Sequence, residues 1–429
     1  MSNLFVRVNE KQYGPFSRRE LHGMVRQGKF SAKDLIWNEE QDQWVEAGAL
    51  ADANGLLNEA PSPQENRQRV IAVAGGKGGV GKTVMTASLG VGLASLGYQV
   101  VMVDADLGGA NLHTVMGILE PARTFFDFYT TQVDRLQDVV LETPVKNLGL
   151  ISGACGTLGL ANPKYSQKQR FIRELRSIPA DFLLLDLGAG SSYNVIDFFL
   201  AADEGILVTN PEPMAVQECF NFIKICVLRK LKLAFRQHEK VMAVIEGDEL
   251  GRPGRIEAPM SQVVDKVREA DATAAALIEQ VLEAFRPRLI VNMMDNPDDA
   301  KEGWAIRSAA ADLLGVEVEF LGCVSADHSV RQAVRELRPF LLHNPNSQAS
   351  QDLAKLINLK ILGKSGLKNF FGKRRFKKTL YDMQVGMPGT NLHEHAPICS
   401  SKCFYWGDCD FQNGGQLCPV RHVEVMFKS

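Results

Sequence analysis

The chain has 429 residues, of which 45% are hydrophobic and 23% are charged, and its formal net charge is −2 at pH 7. This length exceeds one ordinary hydrophobic core, so several domains are expected. The balanced charge excludes a whole-protein attraction to nucleic acid. No apolar run approaches the ~20 residues that span a bilayer, and the first residues do not look like a secretory signal. We therefore expect a cytoplasmic protein whose cysteines are ligands or buried thiols.

A small α+β module is predicted over residues 1–52. Residues 5–8 alternate like a strand, residues 13–17 indicate a turn, and apolar residues at helical spacing follow. Four aromatic residues either form its core or offer a surface to a proline-rich partner: Tyr13, Phe16, Trp37 and Trp44. The order of G-P-F, helix and two tryptophans resembles the GYF_2 domain. Residues 53–68 are predicted to be a linker.

A phosphate-binding loop is predicted at residues 76–83, which read GKGGVGKT. An apolar strand precedes it and a helical pattern follows it, as the pattern G-x-x-x-x-G-K-[ST] requires. Backbone N–H groups and the positive helix end favour a polyphosphate there. The predicted nucleotide contacts are Gly76, Gly78, Gly79, Val80, Gly81, Lys82, Thr83 and Val84. Lys82 would neutralise the β and γ oxygens of the bound polyphosphate during catalysis, and Thr83 would hold Mg²⁺.

Two further apolar strands are predicted to end in carboxylates, one at Asp104 and Asp106 and the other at Asp186. The carboxyl ends of parallel strands meet in one crevice, so these side chains should lie beside the loop. Carboxylates there hold Mg²⁺ or orient water. More strands are predicted at residues 205–209, 288–292 and 320–324. The expected fold is α/β, with a mostly parallel, doubly wound sheet flanked by helices.

These motifs resemble the MinD/ParA family of deviant-Walker ATPases, whose loop reads K-G-G-x-G-K-[ST]. The resemblance covers residues 69–362 and implies an ATPase that forms a homodimer with ATP. We expect its turnover to be slow, because the chain departs from the family in two places. The resemblance implies that Lys77 reaches the partner's nucleotide and that Asp106 orients the hydrolytic water. It further implies that Asp104 and Asp186 support the magnesium ion.

Other positions follow from the same resemblance. Gly188 would approach the γ-phosphate, and Asn292 would read the adenine edge, although a turn-forming role for Asn292 stays open. The chain departs from the family at Val84, where a second Thr or Ser is usual. Its segment 230–288 is also long for the family, and we expect a partner specific to this branch to bind there.

Residues 104–112 and 209–213 look most like MinD and the flagellar-number regulators of the FlhG/FleN branch. This implies a switch that sets the placement or number of a flagellum-like or polar assembly, in the cytoplasm or at a membrane or pole. Two alternatives stay open. One is an iron–sulfur carrier or assembly ATPase of the Mrp type, and the other is a nucleotide-binding scaffold without turnover.

Two segments follow the ATPase region. Residues 363–390 are rich in Lys and Arg with apolar residues among them, and three interpretations stay open: a solvated linker, an amphipathic membrane contact or, with less support, a nucleic-acid contact. Residues 391–429 carry four closely spaced thiols, which predict a zinc site or an iron–sulfur cluster: Cys399, Cys403, Cys409 and Cys418. The other cysteines are predicted to be small buried residues: Cys155, Cys219, Cys226 and Cys323.

Overall fold

The computed structural model describes residues 4–8, 11–16, 34–38, 43–46, 68–106, 108–153, 165–236, 238–247, 259–363 and 380. Contacts divide the chain into two units, Met1–Arg67 and Gln68–Ser429, and each is considered by itself. The predicted helix of the first module and most of the linker lie outside the described residues. So do the Cys-rich segment 391–429, Cys155 and nearly all of the basic segment 363–390.

The first unit contains a four-stranded sheet in the order β2-β1-β3-β4. Its strands are Leu4–Val8 (β1), Lys11–Phe16 (β2), Leu35–Asn38 (β3) and Gln43–Glu46 (β4). The pairings are antiparallel. Strand β1 confirms the strand predicted at residues 5–8.

The turn predicted at residues 13–17 is wrong, because residues 13–16 belong to strand β2. Val6 opposes Tyr13, and Leu4 opposes Phe16. The pairing therefore advances three residues along β2 and only two residues along β1. The Gly-Pro pair between them therefore lies at a strand irregularity, where a missing N–H is tolerated.

The two tryptophans of this unit are cross-strand partners. Trp37 opposes Trp44, and their rings meet edge to face with centroids 5.4 Å apart. Arg7 opposes Leu35, and its guanidinium carbon lies 4.4 Å from the ring centroid of Trp44. Because side chains alternate along a strand, Arg7, Leu35 and both tryptophans share one face of the sheet.

The second unit is built on an eight-stranded sheet in the order β12-β11-β10-β5-β9-β6-β8-β7. Its strands are Arg69–Gly75 (β5), Val100–Asp104 (β6), Leu141–Glu142 (β7), Leu148–Ile151 (β8), Phe182–Ala189 (β9), Glu204–Thr209 (β10), Arg288–Met294 (β11) and Glu319–Ser325 (β12). All neighbours are parallel except β7 and β8. The predicted mostly parallel sheet is confirmed, whereas β7 and β8 were not predicted.

Helices cover both faces of this sheet. They are Lys82–Ser95 (α1), Leu112–Val115 (α2), Phe125–Tyr129 (α3), Tyr165–Leu175 (α4), Tyr193–Ala201 (α5), Pro213–Ala234 (α6), Glu239–Gly247 (α7), Met260–Ala270 (α8), Ala272–Ala284 (α9), Ala300–Leu314 (α10), His328–Arg335 (α11), Phe340–His343 (α12) and Gln348–Lys355 (α13), with a π-helical turn at Leu356–Ile361. Short 3₁₀ turns occur at Leu136–Val139 and Pro297–Asp299. Among the described residues, no helix has the length and apolar character needed to cross a bilayer.

Strand β5 separates two hydrophobic cores. Val70 and Ala72 belong to one core, and Ile71 and Val73 belong to the other. This alternation places a buried layer on each face, which is the doubly wound arrangement expected for a buried parallel sheet. The long segment 230–288 contributes α7, α8 and α9, whose apolar residues extend the first core.

A ladder of alternating charges, here called the charge ladder, runs along the amino edge of four neighbouring strands. It consists of Glu319, Arg288, Glu204 and Arg69, the first residues of β12, β11, β10 and β5. Arg288 contacts both glutamates, at 2.8 and 2.5 Å, and Arg69 contacts Glu204 at 2.5 Å. The two arginines also donate to the carbonyl oxygens of Lys360 and Ile361, at 2.9 and 2.8 Å. The ladder therefore fastens the π-helical turn at Leu356–Ile361 to the edge of the sheet opposite the carboxyl ends of the strands.

Candidate functional site

The loop between β5 and α1 depends on glycine for its shape. Gly79 and Gly81 have φ angles of +81° and +91°, a left-handed region that other residues rarely adopt. A Cβ atom on Gly76 would overlap the backbone carbonyl of Glu218 in α6. A Cβ on Gly78 would have only the Ala189 methyl within reach, at 3.9 Å. One side of the loop is thus pressed against α6, and the other side is open at Gly78.

Lys82, the first residue of α1, points its ammonium group back along this loop. Its Nζ lies 3.4 Å from the carbonyl oxygen of Lys77, and only 8% of its surface is exposed. Burial lowers the pKa of Lys82, while the charges of Asp186 and Asp106 oppose that shift. A buried ammonium group at the first residue of a helix, beside a glycine-rich loop, is an anion-binding arrangement.

Two predicted carboxylates, Asp104 and Asp186, are register neighbours at the ends of β6 and β9. Asp104 accepts hydrogen bonds from the backbone N–H of Leu112 at 2.9 Å and of Asp106 at 3.2 Å. Burial, reinforced by the charge of Asp186, raises the pKa of Asp104 to about 8. A divalent cation held by this pair would favour the ionised form of both carboxylates.

Asp186 is held by hydroxyl groups of α1. Thr86 Oγ1 donates to it at 3.0 Å. Burial raises the pKa of Asp186 to about 6, while hydrogen bonds from Thr83 and Thr86 and the charge of Lys82 oppose the rise. The oxygens of Thr83, Asp104 and Asp186 suit Mg²⁺, which prefers oxygen ligands. Sequence reasoning missed Thr86, although its position one helical turn after Lys82 gives both residues the same helix face.

Asp106 and Gly188, two further residues of the predicted site, lie close together. A Cβ on Gly188 would lie 3.1 Å from the Asp106 carboxyl group. The same carboxylate accepts the N–H of Gly108 at 3.3 Å. Gly188 therefore leaves the space that the Asp106 carboxylate uses, and Asp106 faces the crevice beside Lys82.

Lys77 extends from the open side of the loop and forms an ion pair within its own chain. Its Nζ lies 2.5 Å from Oε2 of Glu212, which precedes α6. The hydrogen bond from Lys77 is the main cause that lowers the pKa of Glu212. Both side chains are exposed, so the pair can be exchanged for another partner at little cost. Sequence reasoning placed Glu212 in a family segment without assigning it this contact.

Asn292 at the end of β11 supports the loop directly. Its Nδ2 donates to the carbonyl oxygen of Val80 at 2.9 Å, so its amide is turned toward the loop. The next residue, Met293, was not singled out from the sequence. It has a φ of +57°, it is 39% exposed, and its methyl group would lie 3.5 Å from a Cβ on Gly81. Met293 is thus a non-glycine residue in the left-handed region, which stores local backbone strain next to the loop.

Val84 is partly buried and packs against the second core. Its side chain therefore contributes to packing and brings no hydroxyl group to the loop.

The four cysteines of the predicted metal site lie within residues 391–429, outside the described part of the chain. Within the described part, no cluster of three or more His, Cys, Asp or Glu residues is arranged to hold a metal ion. Cys219 and Cys226 are fully buried, which confirms their prediction as core residues, whereas Cys323 is only half-buried. Burial raises the pKa of Cys219 to about 12, so this thiol is unreactive.

Comparison with known families agrees with this geometry. Residues 71–340 match the model described as the CobQ/CobB/MinD/ParA nucleotide binding domain, and residues 5–52 match GYF domain 2. The first match spans more than half of the chain, which therefore belongs to the CobQ/CobB/MinD/ParA nucleotide-binding family. The resemblances to MinD/ParA proteins and to the GYF_2 domain are both confirmed.

The chain is also similar to individual proteins. The chain is 29% identical over 285 residues to the antiactivator FleN of Pseudomonas aeruginosa, covering 66% of this chain and 82% of FleN. It is 26% identical over 289 residues to the septum site-determining protein MinD of Synechocystis, covering 62% and 97%. A solved structure of MinD from Pyrococcus horikoshii, complexed with Mg-ADP, is 22% identical with a TM-score of 0.45, covering 69% of this chain and 98% of that one.

Proposed function

We propose that this chain is an ATP-binding and ATP-hydrolysing switch that dimerises with ATP. One observation carries the proposal: three strand ends converge on the loop at residues 76–83. They bring the Lys82 ammonium, the Asp104–Asp186 pair and the Asp106 carboxylate to one crevice. A cation, a divalent-metal site and a water-orienting carboxylate are the parts that phosphoryl transfer to water needs.

Each side chain has a defined task in this proposal. The loop N–H groups and Lys82 bind the phosphates. Thr83, Asp104 and Asp186 would hold Mg²⁺, which would neutralise negative charge on the phosphates. Thr86 keeps the Asp186 carboxylate in place through its 3.0 Å hydrogen bond. Asp106 accepts a hydrogen bond from the attacking water and so orients it.

Lys77 is the group that would couple turnover to dimerisation. It projects from the open side of the loop and is retained by Glu212 through an exposed ion pair. If Lys77 left Glu212 and paired with the triphosphate bound by a facing chain, it would add a second cation beside Lys82 of that chain. This cation would stabilise the negative charge that develops during phosphoryl transfer. The rate would then depend on the second copy.

The nucleoside is proposed to lie along Asn292 and Met293. The Asn292 amide holds the loop through Val80, and the exposed Met293 side chain offers a polarisable surface beside Gly81. Thioether groups pack well against aromatic rings.

Turnover and binding assays on two lysine variants test the core of the proposal. Lys82→Ala should abolish ATP binding in calorimetry, whereas Lys77→Ala should keep ATP binding and lose most of the turnover. Lys240→Ala, an exposed lysine of α7, is the matched control. Unchanged turnover in both loop variants would reject the assignment.

Dimerisation is tested with the Asp106→Ala variant, which should bind ATP without hydrolysing it. Size-exclusion chromatography at one protein concentration should show a larger species with ATP than with ADP, because only ATP closes the crevice dimer. Identical elution with both nucleotides would contradict the switch.

For the cellular role, we propose control of the placement or number of a flagellum-like or polar assembly. The similarity to FleN over 66% of the chain supports this branch. The partner of the first unit is proposed to be a proline-rich segment that lies along Trp37 and Trp44, whose half-exposed rings share a face with Arg7. Full-length protein should bind a proline-rich peptide in fluorescence titrations, and Trp44→Ala should weaken that binding at least tenfold.

A further inference from the structure

Helix α10 carries an exposed strip that the nucleotide site does not use. Its buried residues, Gly303, Ile306, Ala310 and Leu314, face the sheet. The residues on its outer side are exposed: Lys301, Trp304, Ala305, Ser308, Ala311 and Asp312. We call these six residues the α10 strip.

Trp304 is the large exposed hydrophobic side chain of the strip. It is 53% exposed, although its ring is held edge to face against Phe320 at 5.1 Å. The guanidinium carbon of Arg307 lies 5.4 Å from the centroid of the same ring, on the flank of the strip. A tryptophan fixed in position and accompanied by arginine is the composition of a protein–protein hot spot.

The charges of the strip identify its partner. Lys301 stands at the amino end and Asp312 at the carboxyl end, and neither forms an ion pair with another described residue. Ser308 Oγ donates to Asp312 at 3.2 Å, which directs the carboxylate along the strip. Between the two charges, Ala305 and Ser308 are small enough for another helix to approach closely.

This pattern is complementary to itself when two copies run antiparallel. A twofold axis midway between Ile306 and Arg307 pairs Lys301 with Asp312 of the copy and Ala305 with Ser308 of the copy. The two ion pairs would be about 16 Å apart along the helices. A parallel arrangement would instead oppose like charges at both ends, which is unfavourable.

We propose that the α10 strip is a self-association surface, in which α10 packs antiparallel on α10 of a second copy of this chain. This contact requires no nucleotide and is independent of the proposed function. Together with an ATP-dependent dimer through the crevice, it gives the chain two different twofold interfaces. Two such interfaces build a closed tetramer or a longer assembly from dimers.

The test is sedimentation of full-length protein over a concentration series with ADP, where the crevice dimer is not expected. The wild type should show a monomer–dimer equilibrium. Asp312→Lys and Lys301→Asp should each weaken it at least tenfold, because each places like charges opposite one another. The double variant that carries both changes should return to within about threefold of the wild type. Trp304→Ala should also weaken it at least tenfold.

Glu269→Lys on the exposed side of α8 is the matched control and should behave like the wild type. A wild type that stays monomeric with ADP at all concentrations would overturn the proposal. So would a double variant as weak as the two single variants. With ATP, the crevice dimer should persist in Asp312→Lys, so that failure of the α10 contact and failure of the switch are distinguishable.

Discussion

The side-chain amide of Asn292 donates to the backbone carbonyl of Val80 at 2.9 Å, across 212 positions of sequence. This hydrogen bond joins the end of β11 to the last turn of the phosphate loop, next to Gly81. A Cβ on Gly81 would overlap that amide. The glycine therefore serves two needs, the left-handed backbone and the space for Asn292.

Removal of the Asn292 side chain should loosen the loop. We expect Asn292→Ala to weaken the binding of ATP and ADP equally, by about five- to tenfold, because one buried hydrogen bond of the loop is lost. Isothermal titration calorimetry with both nucleotides measures this. Gln280→Ala on the exposed side of α9 should bind like the wild type, and a change for only one nucleotide would contradict a purely supporting role.

The contact between Gly188 and Asp106 predicts a selective loss of turnover. In Gly188→Ala, the new methyl group would lie 3.1 Å from the Asp106 carboxyl and displace it. Turnover should fall by about tenfold or more, since small displacements of an orienting group are costly, while ATP binding changes little. Gly108→Ala is the control, because its methyl group would lie 3.8 Å from the same carboxylate, an ordinary contact. Equal turnover in the two variants would be inconsistent with this geometry.

The loop glycines should differ in their effect on stability. A methyl group on Gly76 would overlap the Glu218 carbonyl, whereas one on Gly78 would meet only the Ala189 methyl at 3.9 Å. We expect Gly76→Ala to lower the free energy of unfolding by about 2 kcal/mol or more. Gly78→Ala should lower it by less than about 0.5 kcal/mol. Urea unfolding without nucleotide measures both changes. Equal stability of the two variants would show that α6 moves to make room for the methyl group at position 76.

The raised pKa of Asp104, about 8 against a usual value near 3.8, predicts a pH-dependent stability. The folded protein keeps a proton there that the unfolded chain releases above its own pKa. This contribution is complete below about pH 4 and is lost as the pH rises toward 8. Without nucleotide and Mg²⁺, the free energy of unfolding should therefore fall between about pH 5 and pH 8.

The Asp104→Asn variant should show a smaller fall across the same range, because its side chain stays neutral. The difference should be on the order of a few kcal/mol. Urea unfolding at several pH values measures it, and Asp298→Asn, at an exposed position, is the control. Parallel pH profiles for wild type and Asp104→Asn would refute the assignment of the shift to this carboxyl.

The loop and the strands that end at Asp104 and Asp186 could be predicted from the sequence, because each is a short local pattern whose residue types determine its conformation. Contacts between distant segments were not accessible in this way. The Lys77–Glu212 ion pair and the Asn292–Val80 hydrogen bond depend on which strands become neighbours. No local pattern encodes that order.

The wrong turn at residues 13–17 has a similar cause. Gly14 and Pro15 are turn residues by their dihedral preferences, yet antiparallel pairing with β1 accommodates them within a strand. Strands β7 and β8 escaped prediction because the pairing of so short a ribbon is decided by its place beside β6. The charge ladder could not be predicted from the sequence either, since its four members are the first residues of strands that lie far apart in the chain.

The charge ladder has a mechanical consequence. Gln68, where the second unit begins, directly precedes Arg69. The Arg69 guanidinium donates a hydrogen bond to the carbonyl oxygen of Ile361. Both points of attachment for appended segments are thus at the rim remote from the phosphate loop. Tension applied through either attachment would first load the ion pairs of the charge ladder, at the ends of β5, β10 and β11 opposite the phosphate loop.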